Sequence, residues 1–299
     1  MKNLKKPAWG GRGTGFAWWL VILLFVAVFL AVQLAEGAVI AAVALRTFFF
    51  DRLPDSLPML TALFSTVPGT AVVLLFCRFA EGRRPRDLGL SPRRAGREYL
   101  AGLPVGLLLF AGAVGICAAV GAVRVTKSAG DTSAPLLLLF FAGYLLQGMS
   151  EEVLCRGFFM GSLLRRCPIP VAVTVNSAAF ALLHLGNNGV TPLALGNIFL
   201  FGVLASLYVL RRGNLWGACA IHSMWNFAQG NLFGAAVSGN RSGPSLLRAE
   251  VIAGGSASLW NGGAFGPEGG LAVTLVLLAG IAVLLFLIPN AKGGADQAF

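Results

Sequence analysis

Charge is what this chain lacks most. Only 12% of its 299 residues are Asp, Glu, Lys or Arg, where a soluble domain carries roughly 25%, and mean hydropathy is +0.78. Together these exclude an ordinary soluble globule. Histidine is scarcer still, with two in the whole chain. The cysteines (Cys77, Cys117, Cys155, Cys167, Cys219) are odd in number and show no paired spacing, which excludes a disulfide or zinc framework. They read as small buried hydrophobes. The apolar stretches do not alternate with period two, which argues against a closed β-barrel. There is no internal repeat and no sign of a second domain.

What is present is apolar sequence in runs long enough to cross a bilayer, for which about 20 residues suffice. Eight runs qualify as candidates: Phe16 to about Val43, Met59–Ala80, Tyr99–Val123, Ala134–Leu164, Ile169–Leu185, Leu193–Leu210, Leu215–Phe233 and Leu271–Ile288. The fifth and sixth are short. The expected fold is an all-α polytopic membrane protein of about eight transmembrane helices, with an active site buried in the bundle. Residues 1–15 and 291–299 read as tails, and 16–290 as one transmembrane domain. The first run exceeds the 7–15 residues of a signal-peptide core, so it reads as a retained anchor.

A net charge of +11 invites a nucleic-acid reading, but its distribution does not support one. Lys2, Lys5, Lys6 and Arg12 precede run one, and Arg83, Arg84, Arg86, Arg93, Arg94 and Arg97 lie between runs two and three. Arg165 and Arg166 follow run four, Arg211 and Arg212 follow run six, and Lys292 follows run eight. With eight crossings all of these fall on one side, and the positive-inside rule makes that side cytoplasmic. A minority (Arg46, Arg52, Arg124, Lys127, Arg241, Arg248) falls on the other. The expectation is a multi-pass cell-membrane protein with both termini cytoplasmic, whose partners are membrane lipids and a membrane-associated peptide or protein, not nucleic acid. The basic stretch after run two is expected at the headgroup surface, where each Lys or Arg contributes about 1 kcal/mol against anionic lipid. The Gly-rich connection of about 234–270 is too long for an ordinary loop and reads as a lid or a partly ordered segment.

Run four contains "SEEVLCRGFF", with Glu151, Glu152 and Arg156 inside it. A charge at the centre of a span costs about 2.5–3.5 kcal/mol on insertion scales. Glu152 and Arg156 are neighbours at i,i+4 and can pair, which leaves Glu151 without a charged partner on its own helix. Both histidines of the chain also lie in runs, His184 in "FALLHLGNN" and His222 in "ACAIHSMWNFAQ". Asn226 shares the helix face of His222, and Phe180 that of His184. Gln33 and Glu36 read as packing or snorkelling residues near the outer interface. Gln147, Asn197 and Gln229 read as makers of interhelical hydrogen bonds. A glutamate and a histidine can hold and deprotonate water, and a histidine and an amide can stabilise an oxyanion. The same groups would also serve as a proton relay in a transporter, or simply as a packing scaffold, and the chemistry alone leaves these alternatives open.

The three segments resemble a known set. "EEVLCR", "FALLH" and "HSMWN" are similar to EExxxR, FxxxH and HxxxN, the signatures of the CPBP (ABI) family of intramembrane proteases, which includes CAAX prenyl endopeptidases and bacteriocin-immunity proteins. "DLGL" from Asp87 and "RRGNLWGACAIH" extend the similarity over about 87–230. The resemblance implies a glutamic endopeptidase acting on a membrane-associated peptide, of CAAX type or otherwise. Glu151 would be the general base and His184 its partner in activating water, with His222 and Asn226 the oxyanion hole. Glu152, Arg156 and Phe180 would support the site. No cofactor is expected. Zinc is the alternative, with Glu151, His184 and His222 as ligands. Cys155, on the face of Glu151, is a third candidate nucleophile system. Counted along α-helices, Glu151 lies about 20 Å from the basic end of its run and His222 about 15 Å from its own, so a tilt or a broken helix must bring them level. A water-filled cavity is expected to reach them from the cytoplasmic side.

Overall fold

In the computed structural model the described residues are 4–7, 9, 16–50, 56–128, 132–240, 243–252 and 254–288. The C-terminal tail, most of the N-terminal tail, and Arg52 and Arg241 lie outside them. Among the described residues nine helices follow one another: α1 (Trp18–Phe50), α2 (Leu57–Phe79), α3 (Ala95–Ala119), α4 (Ala134–Glu152), α5 (Ile169–Leu182), α6 (Pro192–Arg212), α7 (Trp216–Phe227), the short α8 (Gly255–Asn261) and α9 (Leu271–Phe286). All but α8 correspond to the eight apolar runs. Among the described residues, five helical stretches are long and apolar enough to cross a membrane: those of α1, α2, α3, α4 with its continuation, and α6. α6 is longer than its run suggested, whereas α5 and α9 are short apolar helices. The protein is an all-α polytopic membrane protein.

Local sequence sets the ends of the helices that carry the site. α4 begins where Ser133 accepts a hydrogen bond from the Leu136 N–H at 3.4 Å, with a proline at its first positions. α6 begins at Thr191, which accepts from Ala194 N–H at 3.1 Å, and ends at Gly213 in the left-handed conformation, φ 71°. α4 does not stop at Glu152. It continues as a π-helical segment, Val153–Met160, before one last α turn, Gly161–Leu163. α7 likewise passes into a π segment, Ala228–Leu232. A π turn holds more residues than an α turn and rises less per residue, which shortens the path from the basic end to Glu151 and removes much of the depth mismatch counted along α-helices.

Small residues let the helices meet. A Cβ on Gly106 of α3 would lie 2.3 Å from the Ile221 carbonyl, and one on Gly148 of α4 would lie 2.5 Å from Ser223 Oγ, so both neighbours of α7 approach at backbone distance. Gly202 of α6 seats Ser177 of α5 in the same way. Ser206 Oγ donates to the Gly202 carbonyl at 2.7 Å and accepts from Asn176 at 3.2 Å. Gly202 and Ser206 therefore serve packing inside the bundle, and Asn176 finds its partner there. Phe25 stacks on Phe159 with centroids 4.0 Å apart, and Phe110 meets Trp225 edge-on at 5.3 Å.

Two expectations change. The basic connection after α2 is not wholly at the surface: Arg83 is 1% exposed. Its guanidinium donates to Glu81 (2.9 Å), Ser162 Oγ (3.2 Å) and the carbonyls of Asp87 and Gly157 (2.9 Å each). It ties the connection to the end of the α4 continuation. We expect Arg83→Ala to cost about 3–5 kcal/mol by leaving Glu81 buried and unpaired, read as a fall in the thermal midpoint of the purified protein; an unchanged midpoint would contradict it. The other change concerns the Gly-rich connection, which is ordered over most of its length. Leu247–Val251 (β2) pairs antiparallel with Val123–Lys127 (β1), Val123 opposite Val251, a two-stranded ribbon that the all-α expectation did not contain. α8 follows, held by Asn261 Nδ2 donating to the Ala122 carbonyl at 2.8 Å. Gln229 donates to the carbonyl of Ala236 in this connection, not to another helix.

Candidate active site

The π segment after Glu152 and the close seat of α7 on α4 bring residues 70 apart in sequence into contact. Glu152 is fully buried. Its Oε1 accepts from Arg156 Nη1 at 2.8 Å and from His222 Nδ1 at 2.9 Å. The i,i+4 pair read from sequence is therefore present, and it is extended by a histidine from another helix. With Nδ1 turned to Glu152, the other ring nitrogen of His222, Nε2, lies 3.7 Å from Glu151 Oε2. Arg156 is fully buried and lies over the Phe180 ring, Cζ to centroid 4.4 Å, a cation–π contact. Phe180 also meets His184 at 4.9 Å and His222 at 6.0 Å, while Phe201 of α6 packs on His222 at 5.0 Å.

Glu151 is not without a local partner. Gln147, one turn earlier on the same face, donates to Glu151 Oε1 through Nε2, and its own Oε1 accepts from Asn226 Nδ2 at 2.9 Å. A chain of neutral donors thus runs from Asn226 of α7 through Gln147 to Glu151. Its signal in the sequence was the spacing of four between Gln147 and Glu151.

Glu151, Phe180, His184, His222 and Asn226 all line one cavity of about 610 Å³. Glu152 and Arg156 stand behind its wall. His184, just beyond the end of α5, donates its Nδ1–H to the Phe180 carbonyl at 2.8 Å, which leaves Nε2 for the cavity. The structure brings Glu151, Glu152, Arg156 and His222 into one contact network; His184 shares the cavity with them, and its hydrogen bond is to the Phe180 carbonyl rather than to Glu151. Glu36 and Gln33 of α1 also line it, which corrects their reading as interfacial packing residues, as does Glu268 beyond α8. Glu268 accepts from Trp225 Nε1 (3.0 Å), Ser238 N–H (2.8 Å) and Ser238 Oγ (2.9 Å).

The lining extends toward one end of the bundle. Pro58 and Met59 at the start of α2, Asn187 in the turn after α5, and Val237, Ser238 and Asn240 after α7 all border the cavity. Each belongs to the end opposite Arg83, Arg165 and Arg212. At the basic end Arg83 is tied to Glu81 and Ser162, and the Trp9 indole donates to the Gly213 carbonyl at 2.9 Å.

Among the described residues no three His, Cys, Asp or Glu side chains gather as a metal-ligand set. Of the three candidate ligands, His222 turns Nδ1 to Glu152 and faces Glu151 with Nε2 at 3.7 Å.

No curated protein matches the chain. Residues 133–228, which hold all three motifs and the contact network built from them, match the family model described as Type II CAAX prenyl endopeptidase Rce1-like, and over that segment the similarity to CAAX-type membrane proteases read from the motifs is shown.

Proposed function

We propose that the chain is an intramembrane glutamic endopeptidase that hydrolyses a peptide bond of a membrane-associated substrate. The observation that carries this reading is the convergence of Glu151, His184, His222 and Asn226, from separate helical segments, on one cavity within the family-matched segment. In the proposed reaction a water sits between Glu151 and His184, and Glu151 takes its proton as the oxygen attacks the scissile carbonyl carbon. The carbonyl oxygen gains the electron pair and is stabilised by N–H groups of His222 and Asn226. As the tetrahedral adduct collapses, the C–N bond breaks and the proton on Glu151 passes to the leaving nitrogen, which gives a carboxylic acid and an amine. Asn226 spends one Nδ2–H on Gln147 and keeps the other for the oxyanion. His222 donates Nδ1–H to Glu152, so it offers Nε2–H only as an imidazolium, with Glu151 and Glu152 as its flanking counter-charges.

The mechanism uses neither metal nor thiol. We expect the purified full-length protein to cleave members of a broad peptide library in detergent, with turnover surviving exhaustive chelation and the Cys155→Ala substitution within about twofold. Loss on chelation, restored by zinc, overturns the metal-free mechanism; a silent wild type with an intact fold overturns the protease. We further place both termini and the basic end in the cytoplasm of a cell membrane, on the charge bias.

A further inference from the structure

The Gly-rich connection after α7 lies outside the family-matched segment, which ends at residue 228, yet it contributes Val237, Ser238, Asn240 and Glu268 to the cavity wall. Two helices fix the backbone of Glu268. Its carbonyl accepts from Asn197 Nδ2 of α6 at 2.7 Å, and Asn197 Oδ1 accepts from Thr274 Oγ1 of α9 at 2.7 Å. From this base the carboxylate makes a bridge. Oε1 accepts from the Trp225 indole of α7 at 3.0 Å, and Oε2 accepts from both the amide and the hydroxyl of Ser238, at 2.8 and 2.9 Å.

Ser238 stands in a tight turn. Val237 N–H donates to the Asn240 carbonyl at 2.8 Å and Asn240 N–H to the Val237 carbonyl at 2.9 Å. Between them Ser238 has φ 46°, a left-handed conformation uncommon for a residue with a side chain. Such conformations persist only where the surroundings enforce them, and they cluster at functional sites. Here Glu268 enforces it, by taking two hydrogen bonds from the one residue. On the next residue, Gly239 N–H donates to the Phe265 carbonyl at 3.0 Å. The other end of the bridge reaches the reacting groups. Trp225 directly precedes Asn226, and its ring packs on Phe201 at 5.5 Å, which in turn packs on His222 at 5.0 Å.

We propose that Glu268 is a positioning residue for the substrate: it locks the Val237–Asn240 turn against α7, and this turn is the wall on which the peptide is held beside Asn226. A wall ordered before binding costs the ligand nothing to order, so the lock acts on affinity. The inference rests on the proteolytic reading above for its reaction, though not for the binding.

Glu268→Gln tests the lock at constant shape. A carboxylate accepts at both oxygens, whereas an amide accepts at one end and donates at the other, so the variant can hold Trp225 or Ser238 but not both. Full-length wild type and variant, in nanodiscs, are given two labelled probes: a farnesylated peptide ending in a CAAX sequence and an unprenylated apolar peptide. Each is also made in a form rendered uncleavable by N-methylation of the scissile amide. For cleaved peptides, KM is expected to rise at least about tenfold while kcat stays within about threefold. The uncleavable forms should lose affinity by the same factor, and the amides of residues 237–240 should exchange with solvent deuterium at least about tenfold faster. Ser238→Ala, which deletes one donor of the three, should give the same pattern at about threefold, and it alone decides if Glu268→Gln does not fold. Unchanged affinity, or a fall in kcat with KM unchanged, overturns the proposal, because a merely structural loss would lower turnover without that split. Affinity that depends on Glu268 without any cleavage removes the protease and leaves the positioning, whereas cleavage with equal affinity does the reverse. A wild type that neither binds nor cleaves either peptide removes both.

Discussion

Glu151→Gln is expected to lower kcat about 10³–10⁴-fold, near the upper end of what a positioned general base contributes, while the thermal midpoint of the protein stays close to that of wild type. Catalysis and stability separate here because Glu151 is the part of the cluster that faces the cavity. Its side chain is 32% exposed, and its direct hydrogen bond is to the neutral amide of Gln147. The substitution keeps the shape and leaves the His222 ring its other counter-charge, Glu152; it removes the basic carboxylate that would accept the proton of water. A single-turnover assay on whichever peptide the wild type cleaves measures the loss without interference from product release. Retention of a tenth or more of wild-type turnover would move the base elsewhere in the cavity. Gln147→Ala gives the contrasting result. It removes the bridge between Asn226 and Glu151, so both lose orientation but neither loses its chemistry, and an effect of about ten- to a hundredfold is expected.

The pattern of what was readable follows from the range of the interactions. Fold class and the places of most helices were legible because each span must satisfy its backbone within itself, which writes a long apolar run into the sequence. The Glu152–Arg156 pair was legible because i,i+4 is a local distance. His222 on Glu152 was not, since the 2.9 Å contact depends on α4 and α7 meeting at Gly148, and glycine spacing alone does not say which helix fills the notch. Glu36 lies on α1, outside the matched segment, and reads locally like any carboxylate late in a span. The ribbon of β1 and β2 joins stretches more than a hundred residues apart, and nothing in either five-residue stretch names its partner. Which residues share the cavity is likewise a property of the assembled bundle.

Glu152→Ala should damage both stability and activity, by a route that Glu151→Gln does not touch. Glu152 is the only carboxylate bonded to the buried Arg156 guanidinium among the described residues, and Nε and Nη2 of that arginine have no hydrogen-bond partner there. Cation–π contact with Phe180 offsets part of the burial cost. Without Glu152 a full positive charge stays inside the bundle with only a ring face to answer it, and about 3–5 kcal/mol of stability is lost. His222 loses its Nδ1 acceptor in the same step, so its ring is no longer held toward Glu151 and turnover falls as well. The double variant Glu152→Ala/Arg156→Met distinguishes the two consequences. Removing both partners takes away the stranded charge and fills the space with apolar atoms, an exchange that is often neutral, so the thermal midpoint should recover most of what Glu152→Ala loses. Turnover should not recover, because nothing in the double variant orients His222. Recovery of both would mean that Glu152 acts only by neutralising Arg156, and a Glu152→Ala protein that unfolds no earlier than wild type would mean that the ion pair does not support the bundle at all.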